Sequence, residues 1–513
     1  MLKQVNEAVL KQRFPALWQK LTAASEVSNI SFRKARGGED IPVWEEGGRV
    51  SAWYSVYDPF KEGRRSLETA LEENSRAVVF LGFGAGYQIM PFIENAAVKK
   101  IIIVDNNYGL LKKVFGVIDC CRVLNDDRVV FLEAPTVPAA LEQLKNSYRP
   151  LIDGSLTLVT LRGAVERNNN FFSAFYKALE QFTDELKHDM ASQAHFGKRW
   201  FINIIRNLYL GRYHAYPKRR SYPTFTVIGA GPSLQKAIPL LKQRYNEGGL
   251  LIACDAALTA LKAYGITPQH VITLDAQSYI NYHFIGVEAE GWTLAADLVS
   301  PPAVTRRFTP FFYAGGHPLG LLTGLPALDT SGGNVGHAAL SLAYALGAGS
   351  VETIGFDFGY PDGQSYARGC YVFPIFYQRA SRLLPVETEN IGMMLRYSDI
   401  RRVRSADGVF YQPQLLKFYA EKFDGFKKKG GPQWPAAVRP FNADAFISWY
   451  VSVLQKILVV GLLKKNGGHS VDEHNVIVSL MPLAASFAAK HSADALAEAA
   501  RFSLNFISGG VPE

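Results

Sequence analysis

The chain has 513 residues, 48% of them hydrophobic and 20% charged, which makes it too long for one ordinary core and too apolar for wholesale disorder. Its formal net charge of +9 favours anionic partners (nucleotides, nucleotide sugars, nucleic acid or acidic lipid) without choosing among them. Its four cysteines, Cys120, Cys121, Cys254 and Cys370, form no CxxC pair, so neither a disulfide framework nor a zinc site is expected and a reducing compartment fits.

The opening residues, MLKQVNEAVLKQRFPALW, alternate apolar and charged side chains like an amphipathic helix and contain no continuous apolar signal core. The best apolar run, 457–463, is seven residues, against the roughly twenty that a spanning helix needs. These features predict a cytoplasmic protein with no membrane insertion.

After short β-rich pieces around 49–57, a buried-strand pattern at 76–81 runs into the glycine turn GFGAGY (82–87), and a second strand at 100–104 ends at Asp105. An acidic residue closing the second strand is where nucleoside-binding Rossmann folds hold a ribose hydroxyl. Only GxGxG is present, which points to an S-adenosylmethionine type of site over a nicotinamide type. The competing reading is a Rossmann-like accessory domain whose turn is structural. We prefer the second, because no polar cluster follows in 131–160. Residues 168–210 have a helical pattern; His188 and His195 lie seven apart, which is not the i, i+4 spacing of a zinc pair. The basic, aromatic, proline-bearing stretch 211–223 reads as a linker. The domains expected are thus 1–210, Rossmann-like with following helices; 224–385, a central domain; and 386–513, mainly helical.

The central domain opens on FTVIGAGPSLQKAIPLL (225–241), in which a strand, a glycine turn and a helical pattern with Leu234, Ile238 and Leu241 on one face follow one another. Gly229 and Gly231 are expected to permit positive φ and close approach of a ligand, Pro232 suits a first helical position, and Ser233 adds a hydroxyl beside free amides: an anion corner. Strands at 249–254 and 270–274 end on Asp255 and Asp275, and strands alternating with helices at this pitch specify a parallel sheet. Ser233, Asp255 and Asp275 therefore belong to one edge. Farther on, Ser331, Gly332, Gly333 and Asn334 open a small-residue helix and repeat the logic of the first turn. His337, one turn inside that helix, reads as a packing residue. Asp357 follows a strand at 350–354, and 361–369 reads as a loop over the same crevice. From 373 onward the pattern is mostly helical, with Arg401, Arg402 and Arg404 read as a solvated face.

The segments GAGPSL, ACDAAL, GITPQHVITLD, TSGGNVGHAA and GFDFGY…SYARG, in that order across 225–370, resemble the central domain of the motility accessory factor (Maf) flagellin glycosyltransferases, a core also similar to bacterial sialyltransferases and archaeal hydroxymethylpterin pyrophosphokinases. The resemblance implies a multidomain α/β fold: a Rossmann-like N-terminal domain, a parallel-sheet sialyltransferase-like centre and a helical C-terminal region. It also implies transfer of a nonulosonic acid (pseudaminic or legionaminic type) from a CMP-activated donor to serine or threonine of flagellin, in support of flagellum assembly and motility. Gly229, Gly231, Pro232 and Ser233 match the nucleotide-binding turn, and Ser331, Gly332 and Asn334 a second loop. Asp255 stands where the related sialyltransferases usually have asparagine, and Tyr366 and Arg368 stand where many Maf proteins have a histidine. The expected catalytic residues are Asp275, Asp357 and Tyr366, with the general base open among them. No DxD pair calls for an obligatory divalent metal, so the CMP-sugar is expected as donor substrate and no resident cofactor is assigned. The alternatives are a pterin pyrophosphokinase-like enzyme, and a non-catalytic flagellin-binding chaperone. No nucleic-acid partner is expected.

Overall fold

The computed structural model describes residues 2–25, 27–210, 216–405, 408–435, 438, 441–460, 470–489 and 494–510. The chain divides into two compact units, with the division between Ala191 and Ser192. That point lies inside one helix, Asn169–Leu210 (α1), and so ahead of the linker expected at 211–223. Residues 211–215 of that stretch lie outside the described residues. Tyr216 packs its ring near Phe311 and Trp434 and donates its hydroxyl to the Phe312 carbonyl at 2.7 Å.

In the first unit, strands β1 (Ile30–Lys34), β2 (Asp40–Glu46) and β3 (Arg49–Ala52) form an antiparallel sheet. Strands β4 (Ser75–Leu81), β5 (Lys100–Val104), β6 (Val129–Leu132) and β7 (Ser155–Thr160) form a four-stranded sheet in the order β6-β5-β4-β7. Every neighbouring pair in it is parallel. Residues 77–81 and 101–104 are buried without alternation, the pattern of strands covered on both faces.

The second unit is built on strands β8 (Tyr222–Ile228), β9 (Leu250–Cys254), β10 (His270–Thr273), β11 (Thr293–Asp297), β12 (Phe311–Tyr313) and β13 (Ala348–Ile354), paired in parallel in the order β12-β11-β10-β9-β8-β13. The chain steps from β8 outward to β12 and then crosses to the other flank of β8 for β13, which fixes a topological switch point between β8 and β13. Period-2 alternation along the strands sorts the two faces. Leu251 and Ala253 pack with Leu234, Ile238 and Leu241 of helix α2 (Ser233–Asn246). Ile252 and Cys254 pack with helix α3 (Val335–Leu346). The small side chains of α3, expected from the sequence, let it be buried almost all round.

Past the sheet the chain is mostly helical, as expected, with one small sheet that the sequence reading did not place. Strands β14 (Tyr360–Pro361), β15 (Arg401–Ser405) and β16 (Gly408–Gln412) form an antiparallel sheet in the order β14-β16-β15. Val409, Phe410 and Tyr411 have strand propensity, and Arg401, Arg402 and Arg404 lie exposed on the edge strand, where charge discourages further pairing. Helices α4 (Val372–Arg379), α5 (Val386–Met394) and α6 (Gln414–Lys429) surround that hairpin in sequence, and α7 (Ala443–Val460), α8 (Val471–Ala488) and α9 (Ala495–Ser508) complete the helical C-terminal region. Among the described residues no helix is long and apolar enough to cross a membrane.

Candidate active site

At the carboxyl end of β8 the chain enters the turn 229–233 with its first amides already committed: Gly229 N–H donates to the Ile354 carbonyl at 2.7 Å and Gly231 N–H to the Gly355 carbonyl at 2.9 Å. Neither glycine has positive φ. What glycine supplies here is proximity. A Cβ on Gly229 would lie 2.4 Å from the Gly355 oxygen, and one on Gly231 would lie 2.1 Å from Asp357 Oδ2. The expectation of a positive-φ anion cradle is therefore corrected: these glycines let the strand end of β13 press against that of β8, and their amides are not free to bind a ligand.

The consequence is a contact across the switch point. Asp357 Oδ2 accepts from the Ser233 amide at 3.1 Å and from the Ser233 hydroxyl at 2.9 Å, so the carboxylate itself sits on the amino end of α2, where the helix dipole favours negative charge. Burial raises the Asp357 pKa above the usual carboxylate range, opposed by the two Ser233 hydrogen bonds and by Lys236.

Around this pair lies a cleft of about 980 Å³. Pro232, Ser233, Gln235 and Lys236 from the start of α2 form one wall, and Asp357 with Pro361, Asp362, Gln364 and Arg368 forms the second. Gly408, Val409 and Phe410 of the hairpin close it. The loop 361–369 is pinned over the turn: Ala367 N–H donates to the Ala230 carbonyl at 2.9 Å, while Ser365 donates through its amide (3.1 Å) and hydroxyl (2.8 Å) to Asn390 Oδ1 of α5. Lys236 follows Ser233 by one helical turn and so shares its face; with Arg368 it gives the cleft two cations. Asp357 and Asp362 are the two carboxylates of the lining.

The other predicted residues occupy the same sheet edge without lining this cleft. Asp255 is buried, with Oδ2 accepting from Thr273 Oγ1 at 2.7 Å and Oδ1 from the Ala256 amide at 2.7 Å. The buried His283 brings Nδ1 to 3.3 Å from Asp255 Oδ1, and its ring centroid lies 4.0 Å from that of Tyr371, with the planes tilted by 43°. Asp275 accepts from the Gln277 amide at 3.0 Å and the Tyr279 hydroxyl at 2.8 Å, so it braces the loop after β10. Asp297, at the end of β11, is buried and its pKa is raised to about 7 by that burial.

Tyr366 is hydrogen-bonded to Tyr371, and burial raises its pKa well above the ordinary phenol value. Tyr366 thus packs against Tyr371 from the loop 361–369 and does not line this cleft. Asn334 caps α3, accepting from the His337 amide at 3.0 Å, and its Nδ2 donates to the Gly332 carbonyl at 3.0 Å. Ser331 N–H donates to Asp329 Oδ1 at 2.9 Å. Asn334 thus caps this second helix start, and α3 covers the sheet face opposite to α2. His337 is buried with its ring 4.4 Å from Phe426.

Sequence reasoning missed Lys236, the hairpin wall and the Asp255–His283 pair. The spacing Ser233 to Lys236 was a usable signal; the other two depend on long-range packing. Among the described residues no group of three or more His, Cys, Asp or Glu side chains has metal-binding spacing.

In the N-terminal unit, Gly82, Gly84 and Gly86 do have positive φ, and the turn is filled by the protein. Phe83 N–H donates to Asp105 Oδ2 at 3.0 Å and Ala85 N–H to the Tyr54 hydroxyl at 3.0 Å. A Cβ on Gly84 would lie 2.4 Å from both the Tyr54 oxygen and Leu161 Cδ2. Asp105 is buried, which raises its pKa to about 6.

Comparison with known proteins gives two family matches. Residues 201–363 match the model of the 6-hydroxymethylpterin diphosphokinase MptE-like family, and residues 50–126 match the glycosyltransferase Maf N-terminal domain. Among curated relatives, two uncharacterized proteins of Treponema pallidum (strain Nichols) are 32% identical over 180 residues (33% of this chain, 64% of the relative) and 29% identical over 187 residues (34% and 84%). The chain thus spans less than two thirds of the length of the first of them. The solved Maf glycosyltransferase from Magnetospirillum magneticum AMB-1 shares the fold over 98% of this chain and 94% of its own, with a TM-score of 0.60 and 15% identity. The chain thus carries a match to the Maf N-terminal domain, followed by a match to an MptE-like domain, on a fold similar to that of the solved Maf glycosyltransferase.

Proposed function

We propose that the cleft at the β8/β13 switch point binds a CMP-activated nonulosonic acid of pseudaminic or legionaminic type, and that the protein transfers the sugar to serine or threonine hydroxyls of flagellin. The observation that carries the reading is the cleft itself: an open crevice at the switch point, with Asp357 held on the helix end by Ser233 and flanked by Lys236 and Arg368. A CMP-nonulosonate presents a phosphate and a carboxylate, and the two cations match two anions at close range.

In the transfer the bond between the anomeric carbon and the phosphate oxygen breaks, and its electron pair leaves on CMP. Lys236 and Arg368 stabilise the negative charge that develops there. The acceptor oxygen bonds to the anomeric carbon, and its proton passes to Asp357. A carboxylate whose pKa is raised by burial is better matched to accept a hydroxyl proton than an ordinary one. Ser233 holds that carboxylate in place. No obligatory metal enters the scheme, because the two cations carry the positive charge it needs.

Incubating the protein with CMP-nonulosonate and unmodified flagellin should add one or more sugar masses to intact flagellin. No mass increase, with donor and acceptor separately validated, contradicts the proposal. The match of residues 201–363 to a pterin diphosphokinase-like family favours one second reading, diphosphate transfer from ATP to a hydroxymethylpterin. AMP release that depends on both the pterin and ATP would establish it.

A further inference from the structure

A second cleft, of about 730 Å³, adjoins the first and shares Asp362, Gln364 and Arg368 with it. Its remaining walls come from helices α4 and α5 and from β16, and six of the side chains are apolar or aromatic: Phe373, Tyr377, Val386, Ile391, Met394 and Tyr411. Tyr377 and Ile391 are 59% and 46% exposed, so two large apolar side chains of this lining face solvent. The charges of this lining are Arg368 against Asp362 and Glu387, so the cleft is unsuited to a second anion. Its volume lies in the range of small-ligand and short-peptide sites.

We propose that this second cleft is the acceptor groove: it takes an extended, uncharged polypeptide segment whose aliphatic or aromatic side chains flank the serine or threonine to be modified. The inference rests on the transferase reading above. The three shared residues make the two clefts continuous, so that a segment seated over α4 and α5 presents its hydroxyl at the border of the first cleft. The hydrogen bonds from Ser365 to Asn390 couple α5 to the loop that carries Gln364 and Arg368, which keeps groove and donor cleft in register. This assigns polypeptide binding to the segment 372–394 and not to the C-terminal helices α7 to α9.

The test is the affinity of fluorescently labelled, unmodified flagellin for the wild type, for Ile391→Asp, for Tyr377→Ala and for a control on α8, Val471→Asp, with CMP affinity measured on each. Flagellin Kd is expected to rise about tenfold or more in Ile391→Asp and about threefold or more in Tyr377→Ala, with CMP affinity unchanged and the control like the wild type. If Ile391→Asp also loses CMP binding, the decision rests on Tyr377→Ala, whose exposed ring can be removed without opening the core. Flagellin binding at wild-type affinity in Tyr377→Ala, or no binding to the wild type, overturns the groove. Weakened flagellin binding without any sugar transfer by the wild type would keep the groove and remove the transferase reading; transfer by the wild type with binding unaltered in the variants would do the reverse.

Discussion

Two glycine turns at the ends of parallel strands, GFGAGY at 82–87 and GAGPS at 229–233, have nearly the same sequence and opposite fates. In the first, the glycines adopt positive φ, and the space they leave is taken by Tyr54, Leu161 and Ala164. Its amides are satisfied by Asp105 and Tyr54. In the second, the glycines avoid positive φ and draw a neighbouring strand end close, and the space opens outward into a cleft. A glycine turn is thus a statement about backbone crowding. Whether it binds a ligand is decided by what the rest of the chain places in front of it.

The sharpest way to break this contrast is Asp357→Asn. The amide oxygen still accepts from Ser233, so the fold is expected to survive, while transfer falls by about 10²–10⁴-fold with the loss of the base; initial rates of sugar transfer, beside an unchanged circular dichroism spectrum, check it. On the other turn, Tyr54→Phe strands the Ala85 amide and Gln88 and is expected to cost about 1–3 kcal/mol of stability in urea unfolding while leaving CMP affinity untouched. A fall in CMP affinity instead would show that the first turn contributes to the nucleotide site.

Lys236→Ala and Arg368→Ala are each expected to raise the KM for the donor about tenfold, Lys236→Ala with little change in KM for flagellin. The smallest effect expected is a shift in pH dependence. Ser233 lowers the pKa of Asp357 through its hydrogen bonds, so Ser233→Ala should raise it further. Because the base acts in its deprotonated form, the acid limb of kcat/KM should move to higher pH. A limb that stays put would separate Asp357 from the proton transfer.

The placement of the crevice was legible in the sequence because alternating strands and helices force a parallel sheet, and such a sheet gathers its strand ends on one edge. Ser233, Asp255, Asp275 and Asp357 do lie there. Which of the carboxylates faces the open cleft was not legible, since it depends on β13 crossing back to pair with β8, a contact between residues more than a hundred positions apart. That pairing brings Asp357 forward and leaves Asp275 bracing its own loop. The burial of Tyr366 against Tyr371 was not legible for the same reason: it arises only when the loop 361–369 folds down on Ala230. The second helix start, at 331–334, was read as a second anion corner; that Asn334 caps α3 and that α3 covers the opposite face from α2 follow from the tertiary packing.

The account is tested most directly by titrating CMP calorimetrically into the wild type and into the double variant Lys236→Ala/Arg368→Ala. It predicts a single CMP site per chain in the wild type and at least a tenfold loss of affinity in the double variant. Two sites in the wild type, or unchanged affinity in the double variant, would contradict it.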